Sequence, residues 1–99
     1  MAVAVLMEFA GGDNDAYDRV IGAMGLSDGS QPPGAIFHVA GETEDGFRVV
    51  DVWESAEIFQ RFADEQIGPL TQAEGFPEPT VTTWEVHNTL PHTQMESAI

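Results

Sequence analysis

The chain has no cysteine and no lysine. The first absence excludes disulfide scaffolds, cysteine zinc sites, iron–sulfur clusters and thiol nucleophiles. The second leaves three arginines against seventeen acids, a formal net charge of -14. Phosphate backbones and anionic lipid both need Lys and Arg to replace counterions, so a nucleic-acid or membrane-surface partner is not expected. A phosphate loop has no lysine to complete it, and Gly11, Gly12, Gly22 and Gly25 do not form its glycine pattern. Long hydrophobic runs are also missing. Met1 to Met7 (MAVAVLM) carries no basic residue and stops at Glu8, too short for a leader or a membrane span, and the expected compartment is the cytoplasm. The acids are spread along the chain without a block of five or six, which reads as a solvated acidic surface.

What remains is one domain's worth of chain. It has 99 residues, 42% of them hydrophobic and 20% charged, in the range of a globular protein that buries a single core. Ala2 to Phe9 reads as a buried strand, apolar with Val at alternate positions. In DNDAYDRVIGAMG, Tyr17, Val20, Ile21 and Met24 fall at i, i+3, i+4 and i+7, one helical stripe. Asp13, Asn14 or Asp15 can cap its start and Gly25 its end. The loop SDGSQPPG follows. Ala35 to Ala40 and Phe47 to Trp53 read as strands joined by the loop GETEDG. Ser55 caps a second helix whose apolar stripe is Ile58, Phe59, Phe62, Ala63 and Ile67; Gly68-Pro69 is expected to break or kink it, and Pro69 can open a second short turn through Ala73. Thr80 to His87 is the last strand. Residues 89–99 lack periodicity and are expected to be a flexible tail, leaving the domain at 1–88.

The order β-α-β-β-α-β is that of an α+β, ferredoxin-like domain: a four-stranded antiparallel sheet with both helices on one face. A bare second face would read polar at every other strand position. Here Val3, Val5 and Met7 oppose Ala4 and Leu6, Val49 and Trp53 oppose Val50 and Val52, and Val81 opposes Trp84 and Val86. Both faces are apolar, so a second copy closing sheet against sheet is expected, giving a homodimer.

This pattern resembles the dimeric α/β-barrel superfamily over residues 1–88. The segment VVDVWESAEIFQRFADEQIGP is similar to the third strand and second helix of antibiotic-biosynthesis-monooxygenase-like proteins, and TVTTWEVHN resembles the last strand of their small bacterial relatives. The resemblance implies a homodimer with a pocket in each subunit between sheet and helices. It implies cofactor-free oxygenase or cyclase chemistry, haem degradation, or binding without catalysis. The haem-degrading branch carries an Asn on the first strand, a Trp on the third and a His on the second helix. Trp53 matches the Trp, but the first strand has no Asn and 55–70 no His, so haem chemistry and a haem cofactor are not expected.

Three polar residues stand out within the apolar strands. Asp51 lies between Val50 and Val52 and by alternation shares a face with Phe47, Val49 and Trp53. A carboxylate there needs a pairing group or a solvated cavity. It is a candidate pocket acid or base, or a structural Asp paired with a backbone amide, Arg48, Arg61 or Arg19. His38 interrupts AIFHVA. If Gly41 pairs with Gly46, His38 faces Val49 and lies one diagonal step from Asp51 on the same face, as a general base oriented by the acid. A one-residue bulge would put it on the opposite face; otherwise it is an interior or dimer-seam histidine. His87, ending the last strand, is a candidate second proton carrier, or an exposed residue capping the next turn with Asn88. The three come from three strands without local ligand spacing, so no metal is expected. Trp53, Tyr17, Phe59 and Phe62 are candidates to bind an aromatic ligand, or ordinary core. Ser and Thr form no nucleophile elbow, and His92 in the tail has no evident partner. The reading that results is a small cofactor-independent enzyme, or a non-catalytic binder, acting on an apolar, aromatic or polyketide-like molecule; a structural protein without a pocket is the remaining alternative.

Overall fold

A computed structural model describes residues 1–91. Strands β1 (Val3–Ala10), β2 (Ala35–Thr43), β3 (Gly46–Trp53) and β4 (Thr80–Glu85) form one antiparallel sheet in the order β2-β3-β1-β4. Helix α1 (Asn14–Met24) crosses between β1 and β2. Helix α2 (Ala56–Phe62), a π-helical turn (Ala63–Ile67) and helix α3 (Gly68–Ala73) connect β3 to β4. This is the expected ferredoxin-like arrangement. Most of the expected tail, with His92, lies outside the described residues.

Local chemistry explains the element ends. Asp13 takes the extended N-cap conformation and its carboxylate accepts from the Ala16 N–H at 2.8 Å. Gly25 ends α1 in the left-handed region, at φ 79°. Ser55 caps α2 by accepting from the Ile58 N–H at 3.2 Å.

Two expectations need adjustment. Gly68-Pro69 does interrupt the regular α-helix, with α2 ending at Phe62 and Pro69 in the first turn of α3 as expected, but the chain passes from one to the other without leaving helical geometry. The turn before Pro69 widens to a π-helix, with the Gly68 N–H donating to the Ala63 carbonyl. A proline ring clashes with the i−4 carbonyl of a regular α-helix, and the wider turn absorbs that conflict. The β2–β3 loop is also shorter than GETEDG. Thr43 pairs with Gly46, leaving only Glu44 and Asp45 in the turn. Gly46 is required there, because a Cβ at this position would stand 2.2 Å from the Phe9 carbonyl oxygen.

The inner face of the sheet carries Val3, Val5, Met7 and Phe9 from β1 and Phe47, Val49 and Trp53 from β3, packed with Phe59 and Ile67. Trp53 is 2% exposed. Burying a side chain of that size contributes about 4–6 kcal/mol of transfer free energy. Directly opposed residues share a face. Ala4, Leu6, Phe37, Val39, Val50, Val52 and Trp84 therefore occupy the outer face; no helix among the described residues packs on it, and Phe37, Val39 and Trp84 are about half exposed while Ala4 is buried by its neighbours.

Candidate functional site

The register of β2 on β3 builds the site. Thr43↔Gly46 moves the pairing two residues from the Gly41–Gly46 expectation, so His38 sits directly opposite Asp51 rather than diagonally. An even shift preserves the face, and the irregularity in this pair falls between Ala35 and Phe37, before His38. His38 and Asp51 thus both point to the helix side.

The His38 Nδ1 lies 2.5 Å from Asp51 Oδ1, and the Trp53 indole N–H donates to Asp51 Oδ2 at 3.1 Å. The Tyr17 hydroxyl reaches His38 Nε2 at 2.5 Å. As a carboxylate Asp51 offers only acceptors, so Nδ1 carries the imidazole proton and Nε2 is left to accept from Tyr17. The Tyr17 pKa is raised above its ordinary value, first by burial and then by the negative charges of Asp51 and Asp18, which keeps the hydroxyl protonated and a donor. Tyr17 also stacks on His38, with centroids 5.9 Å apart, and on Phe47 at 4.9 Å. The result is a continuous line, Tyr17–His38–Asp51–Trp53, running from a half-buried hydroxyl to a buried indole. Arg19, Arg48 and Arg61 take no part in it. Arg19 pairs with Glu74 and Arg48 with Glu8.

This line forms one wall of a cavity of about 280 Å3 between sheet and helices. Met7, Phe9, Phe47 and Val49 make its floor. Val20, Ile21 and Met24 from α1 and Phe62, Ile67 and Thr71 from the other helical segment enclose it. Thr71 spends its hydroxyl on the Ile67 carbonyl at 2.7 Å, so it offers the cavity little polarity. Gly29, Ser30, Gln31 and Pro32 form the rim.

Tyr17, His38, Asp51, Trp53 and Phe62 therefore converge on one cavity. Two proposed residues do not join them. Phe59 is not part of the lining. It packs behind Trp53, with ring centroids 5.8 Å apart, because its place on α2 points it into the core. His87 lies just past β4 and is exposed, while the Val86 N–H pairs with the Ala2 carbonyl. With β1 between β4 and β3, His87 stands about two strand spacings, roughly 10 Å, to the far side of the Asp51 strand. Among the described residues no cluster of three or more His, Asp or Glu is placed to hold a metal ion. Among the described residues no helix is long and apolar enough to cross a membrane. The rim residues were not singled out from the sequence, since a loop between prolines carries no periodicity. The Asp51–Trp53 bond did leave a signal: two residues apart on a strand, they share a face.

No family model matches the sequence, and no curated protein matches it by sequence. Solved structures do match in shape. SnoaB, a cofactor-independent oxygenase from Streptomyces nogalater, superposes with a TM-score of 0.60 at 21% identity, covering 92% of this chain and 98% of that one. A point variant of SnoaB gives 0.61 at 18% identity with the same coverage. The chain has the antibiotic-biosynthesis-monooxygenase-like fold. A proposed antibiotic biosynthesis monooxygenase from Deinococcus radiodurans matches equally well, with a TM-score of 0.61 at 12% identity over 93% of this chain and 98% of that one. Within that fold, the cavity and the Tyr17–His38–Asp51–Trp53 line belong to this chain's own side chains.

Proposed function

We propose that the protein binds an apolar, aromatic or polyketide-like molecule in the cavity and acts on it by cofactor-free, monooxygenase-like acid–base chemistry. The observation that carries this reading is the hydrogen-bonded line ending at His38 Nε2 on the wall of an otherwise apolar cavity. Asp51 fixes the tautomer and stabilises the imidazolium that forms when Nε2 takes a proton. Trp53 holds the Asp51 carboxylate in place from behind. A ligand hydroxyl that displaces the Tyr17 hydroxyl would meet the same base. Its deprotonation leaves an electron-rich ring anion, the species on which dioxygen can act without a cofactor. The cofactor-independent oxygenase named among the fold's members supports this choice over cyclisation.

The test is oxygen uptake with a dihydroxynaphthalene. Uptake in the parent protein, lost in His38→Ala and shifted in its pH profile by Asp51→Asn, is the expected result. Binding with no uptake and full recovery of the ligand would instead make the protein a carrier. That reading has its own support: Nε2 is already engaged by Tyr17.

The outer face supports a homodimer. Phe37 is 53%, Val39 51% and Trp84 50% exposed, and a two-fold partner presenting the same stripe would cover all three. Sedimentation equilibrium at micromolar concentration is expected to give twice 10.7 kDa.

A further inference from the structure

We propose that the cavity selects against negative charge: it admits an uncharged, hydroxyl-bearing ring system and rejects the carboxylate or phosphate-bearing counterpart. This deepens the reading above and rests on it. The chain's only strong cations are three arginines, and none lines the cavity. Arg19 is held at Glu74 by a 2.7 Å bond, Arg48 is held at Glu8 on the outer face by a 3.0 Å bond, and Arg61 is exposed on α2. Among the described residues the only acid in the wall is Asp51, 4% exposed. His38 does not offset an incoming anion. Its Nδ1 is committed to Asp51 and its Nε2 accepts from the Tyr17 hydroxyl, so it presents no cation to a ligand that arrives already charged, whereas a neutral phenol brings the proton that charges the ring.

Apart from Ser30 and Gln31 on the rim and Thr71, whose hydroxyl is spent on the Ile67 carbonyl, the remaining lining is mostly hydrocarbon, thioether and aromatic ring, which leaves an anion short of the hydration it loses on entry. The net charge of -14 opposes its approach as well. Tyr17, by contrast, already demonstrates the fit of a neutral phenol hydroxyl at His38 Nε2. A precursor assembled as an acid, or on a phosphate-bearing carrier, must then have lost or masked that group before it reaches this protein. Decarboxylation, or capture as an ester or lactone, is the class of reaction that supplies its substrate.

Three matched probes test this at pH 7.5: 2-naphthol, 6-hydroxy-2-naphthoate and the methyl ester of that acid. The indole N–H resonance of Trp53 reports occupancy of the cavity, and that of Trp84, on the other face, serves as the internal reference. Naphthol and ester are expected to shift Trp53 and to bind on the order of a hundredfold more tightly than the acid. The ester is larger than the acid, so size cannot produce that order. An acid binding within threefold of its ester would overturn charge selection and leave the cavity reading standing. A Trp53 resonance unmoved by naphthol and ester alike would overturn both.

Discussion

The helix side and the bare side of this sheet are built from the same residues in alternation, yet they come to different ends. On the helix side Val3, Val5, Met7, Phe47 and Val49 are buried, and among them sits Asp51, joined to His38 and Trp53. On the bare side Leu6, Val50, Val52, Phe37, Val39 and Trp84 make an apolar stripe whose charged residues, Glu8 and Arg48, pair with each other towards one end. An apolar surface covered by the chain's own helices can hold a buried acid, because neighbouring donors satisfy it. An apolar surface left to a second molecule has no such fixed donors, and its centre is free of charge. On the reading proposed above, the polar residues mark where the chain would do chemistry, and their absence marks where a second copy would sit.

The sharpest way to break this contrast is to charge the centre of the bare side. Val50→Glu places a carboxylate where the proposed dimer has only hydrocarbon, at a cost of several kcal/mol to association. Sedimentation should then return a 10.7 kDa particle in place of one twice that mass. A parent protein that already sediments at 10.7 kDa would remove the assembly from the contrast altogether.

Removing the acid from the helix side has the next largest effect. Asp51→Ala strips acceptors from both the Trp53 indole and the His38 ring, and the indole N–H is left buried without a partner. Urea unfolding should show a loss of about 3 kcal/mol. Asp51→Asn keeps an acceptor for the indole and should lose about half as much. Equal losses for the two would mean that the Trp53 bond contributes little.

The sequence carried the sheet faces well and the cavity poorly, for a physical reason. Strand alternation is a two-state property, so it tolerates error of one kind. The expected hairpin register was wrong by two residues, yet His38 still landed on the Asp51 face because the error was even. Helix caps were also legible, since Asp13, Ser55 and Gly25 act within a few residues of their partners. The Tyr17–His38 bond was not, because it depends on how α1 sits over the sheet, twenty-one residues away in sequence. His87 was drawn into the site by its residue type, and strand order, a long-range property, puts it at the far edge. The π-helical turn before Pro69 was hidden as well: a Gly-Pro pair signals an interruption of a regular α-helix, and the widened turn that carries the backbone past it leaves no mark in the hydrophobic pattern.

The chain's two tryptophans lie one on each side. Trp53→Phe should cost about 2 kcal/mol, from the lost bond to Asp51 and the space left beside Phe59 and Phe62. Trp84→Phe, at a half-exposed outer position, should change unfolding of the separated chain by under about 0.5 kcal/mol. Acrylamide should quench Trp84 in the Val50→Glu variant and spare Trp53.

The smallest effect belongs to Tyr17, and it is the cleanest to read because the chain has a single tyrosine. Phenolate absorbance therefore reports this hydroxyl alone. Burial and the charges of Asp51 and Asp18 raise its pKa above 10.0, so the absorbance midpoint of the folded protein should lie above that value. Asp51→Asn removes one of the two charges and should lower the midpoint, with burial still holding it above that of the unfolded chain. The sign of the stability effect follows. The folded state holds this proton more tightly than the unfolded state, so the Tyr17 contribution is complete below pH 10 and is lost as the pH rises through the folded value. Tyr17→Phe should cost about 1 kcal/mol at neutral pH and progressively less above pH 10. A midpoint at or below 10 would mean that the hydroxyl is neither buried nor held beside Asp51, and the line of hydrogen bonds would begin at His38 instead.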